Sequence, residues 1–88
     1  MLKFKTTNQF ERDYKLVKKQ GRDDAKLQAV MQKLFNQEPL DTKHPLTGNW
    51  KGHRDCHIEP DWVLIYRIDK EAQTVTFIRT GSHADIFG

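Results

Sequence analysis

One cysteine, Cys56, stands in 88 residues. A lone thiol excludes an internal disulfide framework and any Cys-rich zinc motif, and it points to a reducing, intracellular setting. Long apolar runs are missing too. No segment approaches the ~20 residues of a membrane span, and the opening Met1-Leu2-Lys3-Phe4-Lys5 carries no signal-peptide core. A cytoplasmic protein with no membrane partner is expected. Repeats and low-complexity tracts are also absent. A chain of this length makes one small domain over residues 1–88, near the lower limit at which a single core holds without staples, so most apolar residues are structural.

Net charge is only +3, but it is uneven. Residues 1–44 hold ten Lys/Arg against six Asp/Glu, and residues 45–88 hold five against six. A basic surface of this size suits RNA, DNA or an acidic protein, and equally an ordinary solvated helix face.

The apolar pattern gives the order of elements. Leu2 and Phe4 alternate with Lys3 and Lys5, the period of a short half-buried strand. Asn8 with Glu11, or Thr6 with Gln9, opens a helix in which Phe10, Tyr14 and Val17 share one side and Arg12, Lys15 and Lys19 the other. Gly21 ends it. Asp23 or Asp24 caps a second helix carrying the strongest periodic signal of the chain: Leu27, Val30, Met31, Leu34 and Phe35 at i, i+3, i+4, i+7 and i+8. Pro39 stops that helix. Residues 37–50 read as an irregular connection, long for so small a domain and therefore of functional interest.

Three strands follow, at residues 53–58, 62–68 and 74–80. The middle one is apolar on both faces (Val63, Leu64, Ile65, Tyr66), which places it centrally in the sheet. On the last, Val75, Phe77 and Arg79 are expected on one face and Ile78 on the other. The fold class is α+β: β-α-α-β-β-β, a helical hairpin packed on one side of a mainly antiparallel sheet, with the other side partly open.

Chemistry concentrates in the second half. His44 precedes Pro45, His57 ends a strand, Asp61 sits in the adjacent turn and His83 follows Gly81 after the last strand, all at element ends where a rigid scaffold presents reactive groups. Metal-free ribonucleolysis needs a base for the 2′-hydroxyl, an acid for the leaving 5′-oxygen and a cation for the phosphorane charge. Two histidines, or one with Asp61, plus Arg79 suffice. A metal site is the rival. His53 and His57, four residues apart on a strand, lie roughly 13 Å from one another, which makes a poor ligand pair, so neither metal nor cofactor is expected. Trp62 belongs in the core, while Trp50 is a further candidate for base stacking. Phe87 is either a core anchor or a ring free to stack on a base. Arg54 and Asp55 read as a surface pair, and Cys56 as a small strand residue.

The run His44-Pro45-Leu46-Thr47-Gly48-Asn49-Trp50-Lys51-Gly52-His53-Arg54-Asp55-Cys56-His57-Ile58-Glu59-Pro60-Asp61-Trp62, with Arg79-Thr80-Gly81-Ser82-His83-Ala84-Asp85-Ile86-Phe87-Gly88, strongly resembles the YafQ branch of the RelE/ParE toxin superfamily. The resemblance implies the RelE-like fold and a ribosome-dependent endoribonuclease that cuts mRNA in the A site and is silenced by a cognate DinJ-like antitoxin. It places catalytic positions on His44, His57, Asp61, His83 and Phe87, with Arg79 in the cationic slot; it does not say which histidine is acid and which base, and we assign His83 as acid, with Asp61 or His57 as base. For such a toxin Arg12, Lys15, Lys18, Lys19, Arg22 and Lys26 supply RNA phosphate contacts away from the cutting site. A ParE-like toxin lacks this histidine set, and a non-catalytic nucleic-acid-binding module has no need of it.

Overall fold

A computed structural model describes residues 2–36 and 53–87, the side chain of Phe87 excepted. The described elements run β1 (Lys3–Thr6), α1 (Asn8–Lys19), α2 (Asp24–Phe35), β2 (Arg54–Glu59), β3 (Trp62–Asp69), β4 (Thr74–Gly81) and α3 (His83–Phe87). The sheet order is β1-β4-β3-β2, with β1 parallel to β4 and the other two pairings antiparallel. The expected α+β architecture and the central position of β3 are both present. The connection at 37–50 lies outside the described residues.

The helix boundaries follow from local chemistry. Thr7, rather than Asn8 or Thr6, caps α1: its hydroxyl oxygen accepts the Phe10 N–H at 2.9 Å and its own O–H reaches the Ile78 carbonyl at 2.7 Å, so one side chain satisfies an orphan helix donor and fastens the helix to β4. At the other end Gly21, with φ 77°, lets the Gly21 and Arg22 N–H groups bond back to Lys18 and Val17. That is a Schellman ending, and it turns the chain directly into Asp23, which caps α2.

Both helices cover one face of the sheet. Phe10, Val17, Leu27 and Leu34 pack with Leu2, Cys56, Trp62, Leu64, Tyr66, Val75 and Phe77 in the main core. The opposite face is smaller. Val63 and Ile65 are covered there by Ile86 of α3 and by Ile78, which explains why five consecutive residues, Trp62 to Tyr66, are buried.

Three expectations need correction. Phe4 is not half-buried but exposed on edge strand β1, its ring stacked on Phe35 with centroids 5.7 Å apart. The tail after β4 is helical: Ser82 Oγ accepts the Asp85 N–H at 3.1 Å and opens α3, a Ser-x-x-Asp signal that the sequence displayed. Finally, a register shift between Ile65 and Tyr66 inserts an extra residue into β4, so Tyr66 faces Phe77 but Ile65 faces Arg79 and Leu64 faces Thr80. Such a bulge reverses the alternation. Thr80, not Arg79, therefore continues the face of Val75 and Phe77.

Candidate active site

Sheet register brings the histidines together. His57 lies opposite Val63 in β2–β3, and Val63 lies opposite Gly81 in β3–β4. Directly opposed residues share a face, so the three form one row on the side that α3 covers. His83 begins α3 two residues beyond Gly81, and the two imidazoles meet with Nε2 to Nε2 at 3.1 Å, ring centroids 5.3 Å apart and planes 27° from parallel. A bond between two ring nitrogens requires one to carry the proton and the other a lone pair. One imidazole of the pair is thus poised to give a proton and the other to take one.

Asp61, in the β2–β3 turn, adjoins the pair. Its Oδ1 accepts the backbone N–H of His83 at 3.4 Å, and its Oδ2 stands 4.0 Å from Arg22 Nη2, with the Asp61 side chain 71% exposed. The next residue, Trp62, is fully buried and donates from Nε1 to Thr80 Oγ1 at 2.9 Å, while the Thr80 hydroxyl donates to the Val63 carbonyl at 3.0 Å. Trp62 is a core residue, as expected, and it locks the start of β3 to the end of β4. Cys56 is also core. Burial, aided by the Asp55 charge, pushes its thiol up to about 12, which makes it inert as a nucleophile.

Arg79, the expected cation of the site, already has a partner. Its Nε and Nη2 bond the Asp13 carboxylate at 3.1 and 3.3 Å, forming a bidentate pair. Asp13 also accepts the Thr80 N–H at 3.3 Å and a Gln9 side-chain N–H at 3.1 Å, and its side chain is only 8% exposed. Sequence reasoning missed Asp13. The signal was its position: residues 10, 13, 14 and 17 fall on one helical stripe, and a carboxylate on an apolar stripe needs a dedicated partner.

Among the cationic candidates, Arg12, Lys15, Lys18 and Lys19 are exposed on α1, with Lys18 Nζ 4.7 Å above the Tyr14 ring. Arg22 and Lys26 are elsewhere. Arg22 reaches Asp61, whose other oxygen holds the His83 N–H, and lies 5.8 Å from the Trp62 ring, so it stands at the Asp61 end of the site, while Lys26 pairs with Glu59 at 3.7 Å on the helix-covered face, opposite Trp62. The α1–α2 turn is what carries Arg22 to its place. His53 lies just ahead of β2, at the end of the strand far from the β2–β3 turn. His44, Trp50 and the Phe87 side chain fall outside what is described. Among the described residues no group of three His, Cys, Asp or Glu converges as a metal site, and no helix is long and apolar enough to cross a membrane.

Comparison with known proteins identifies the fold and the family. The family described as bacterial toxin of type II toxin–antitoxin system, YafQ, matches residues 2–88. The mRNA interferase toxin YafQ of Escherichia coli K12 is 44% identical over 86 residues, covering 93% of this chain and 91% of that protein. The crystal structure of a metal-bound toxin from Helicobacter pylori superposes with a TM-score of 0.91 at 39% identity, covering 99% of this chain and all of that one. The toxin chain of the E. coli DinJ–YafQ complex gives 0.88 at 42% identity over the whole of both chains. The chain belongs to the YafQ family of bacterial type II toxin–antitoxin toxins.

Proposed function

We propose that this chain is a cytoplasmic mRNA interferase, a single RelE-like toxin domain that cuts mRNA in the ribosomal A site and is neutralised by a DinJ-like antitoxin. The observation that carries the reading is the Nε2–Nε2 contact of His57 and His83, supported by the names of the relatives. Cleavage of RNA by its own 2′-hydroxyl needs one proton removed and one delivered on opposite sides of a phosphorus. In this reading the phosphodiester enters between the two rings and replaces their mutual contact, neutral His57 taking the 2′-hydroxyl proton while protonated His83 delivers its own to the leaving 5′-oxygen. Asp61 holds the start of α3, and with it His83, through the backbone N–H. Arg79, paired with Asp13, braces β4 behind the site, and His44 and Phe87 complete it against the substrate. No metal ion takes part in these steps.

The exposed cations of α1 fit ribosomal RNA. The catalytic half, with five Lys/Arg against six Asp/Glu, has no net positive charge with which to hold a polyanion alone. Free mRNA should therefore be cut at least about 10²-fold more slowly than the same mRNA on programmed ribosomes, where the ribosome supplies the positioning. Primer extension on matched samples measures this. Equal rates on both substrates would remove ribosome dependence. A non-catalytic binding module would give no cut on either, and the paired imidazoles would then be without purpose.

A further inference from the structure

The site contains an electrostatic difficulty. The turn Glu59-Pro60-Asp61 places the Asp61 carboxylate against the His83 N–H, where a phosphodiester must lie, with Glu59 at the same turn on the helix side, and the arginine nearest in sequence to His83, Arg79, is already bound by Asp13 through two of its nitrogens. Lys26 offsets Glu59 at 3.7 Å. Among the described residues Arg22 is the other cation at the Asp61 end of the pair, and its carboxylate partner is of a different kind from that of Arg79. Its partner Asp61 is 71% exposed and 4.0 Å away, the outer limit of an ion pair, so that contact is weak and screened. An incoming phosphate competes with it easily. The Asp13–Arg79 pair, with Asp13 8% exposed, is not open to such competition.

Arg22 is also held in place before any ligand arrives. Its backbone N–H closes the Schellman ending of α1 on the Val17 carbonyl at 3.2 Å. Its Nε donates to Gln20 Oε1 at 3.3 Å, and its guanidinium lies 5.8 Å over the ring of Trp62, which is fully buried and anchored to Thr80. A guanidinium within cation–π range of an anchored ring, with its side chain 23% exposed, keeps Nη2 on the Asp61 side of the histidine pair. An arginine so placed can offer phosphate oxygens two parallel N–H donors, which a lysine cannot.

We propose that Arg22 binds the scissile phosphate of the mRNA beside the His57–His83 pair, and that Asp61 is its counter-ion until RNA arrives. This rests on the cleavage reaction proposed above. Arg22 then belongs to the cutting centre and not to the surface that anchors the toxin on ribosomal RNA.

Single-turnover cleavage on programmed ribosomes, followed across toxin concentrations, separates the limiting rate from the apparent Kd. Arg22→Gln should lower the limiting rate by about 10–100-fold, less than loss of a fully buried donor because Arg22 is partly solvated, with apparent Kd within about twofold of wild type. Arg22→Lys should recover part of the rate. Unchanged melting of both variants shows that the fold is kept. A limiting rate within twofold of wild type, or a loss confined to Kd, overturns the proposal. A second measurement does not depend on the reaction: titration of the free toxin with inorganic phosphate, read from the imidazole proton resonances of His57 and His83. Phosphate should move both, and Arg22→Gln should weaken the response at least fivefold. If the wild type cuts no mRNA, the reaction itself is wrong, and the phosphate titration still decides whether Arg22 binds phosphate there. Identical phosphate responses in wild type and Arg22→Gln overturn it.

Discussion

Replacing His83 or His57 with alanine should each lower mRNA cleavage by about 10²–10⁴-fold, the range of a general acid or base. The reason is the 3.1 Å contact between their Nε2 atoms. If one ring supplies the acid and its neighbour the base, removing either leaves a proton step without a carrier, so the double variant should be scarcely worse than the single ones. His53→Ala makes the comparison sharp. It changes the same residue type one strand-length away, before β2 begins, and should stay within a few-fold of wild type. Rates from single-turnover assays, with circular dichroism as the control for folding, decide the matter. Folded His57→Ala and His83→Ala proteins that cut like wild type would remove the imidazole mechanism.

The second large effect is on stability. Asp13→Ala leaves Arg79 Nε and Nη2, the Thr80 N–H and the Gln9 amide without the acceptor that all of them use. Breaking a buried pair from one side typically costs about 3–5 kcal/mol. Partial exposure of Arg79 brings the expected value to the lower end. An 88-residue domain has a total stability of only about 5–13 kcal/mol, so the melting temperature should fall by more than about 10 °C. Arg79→Ala should cost less, because Asp13 keeps two donors. The double variant should cost less than the sum of the two, which is the signature of direct coupling. Thermal and urea unfolding measure all three. A loss below about 1 kcal/mol for Asp13→Ala would mean that the four bonds are replaced by water without penalty.

The parts legible in the sequence were those written by periodicity. Leu27 to Phe35 repeats at helical spacing and forms α2, and Trp62 to Tyr66 is apolar on both faces because helices lie on one side and Ile86 on the other. The cluster of His57, Asp61 and His83 was also legible, since each stands at the end of an element and the sheet register does the rest. What escaped depended on contacts between distant segments. The bulge opposite Ile65 leaves no pattern of its own, and it exchanges the faces of Arg79 and Thr80. Asp13 and Arg79 are 66 residues apart. The sequence showed a cation near a histidine, and only the fold shows that the cation is already claimed. Arg22 is the converse case: by charge alone it joined the α1 lysines, whereas the Schellman ending at Gly21 turns it toward Asp61.

The most direct test of the central claim, that paired imidazoles drive attack by the RNA's own 2′-hydroxyl, is the chemistry of the cut ends on programmed ribosomes. The upstream fragment should end in a 2′,3′-cyclic phosphate or the phosphate derived from it, the downstream fragment should begin with a free 5′-hydroxyl, and an mRNA with a single 2′-deoxynucleotide on the 5′ side of the cut should resist cleavage. A 3′-hydroxyl on the upstream fragment with a 5′-phosphate downstream, or unimpaired cutting next to the deoxynucleotide, would contradict the account.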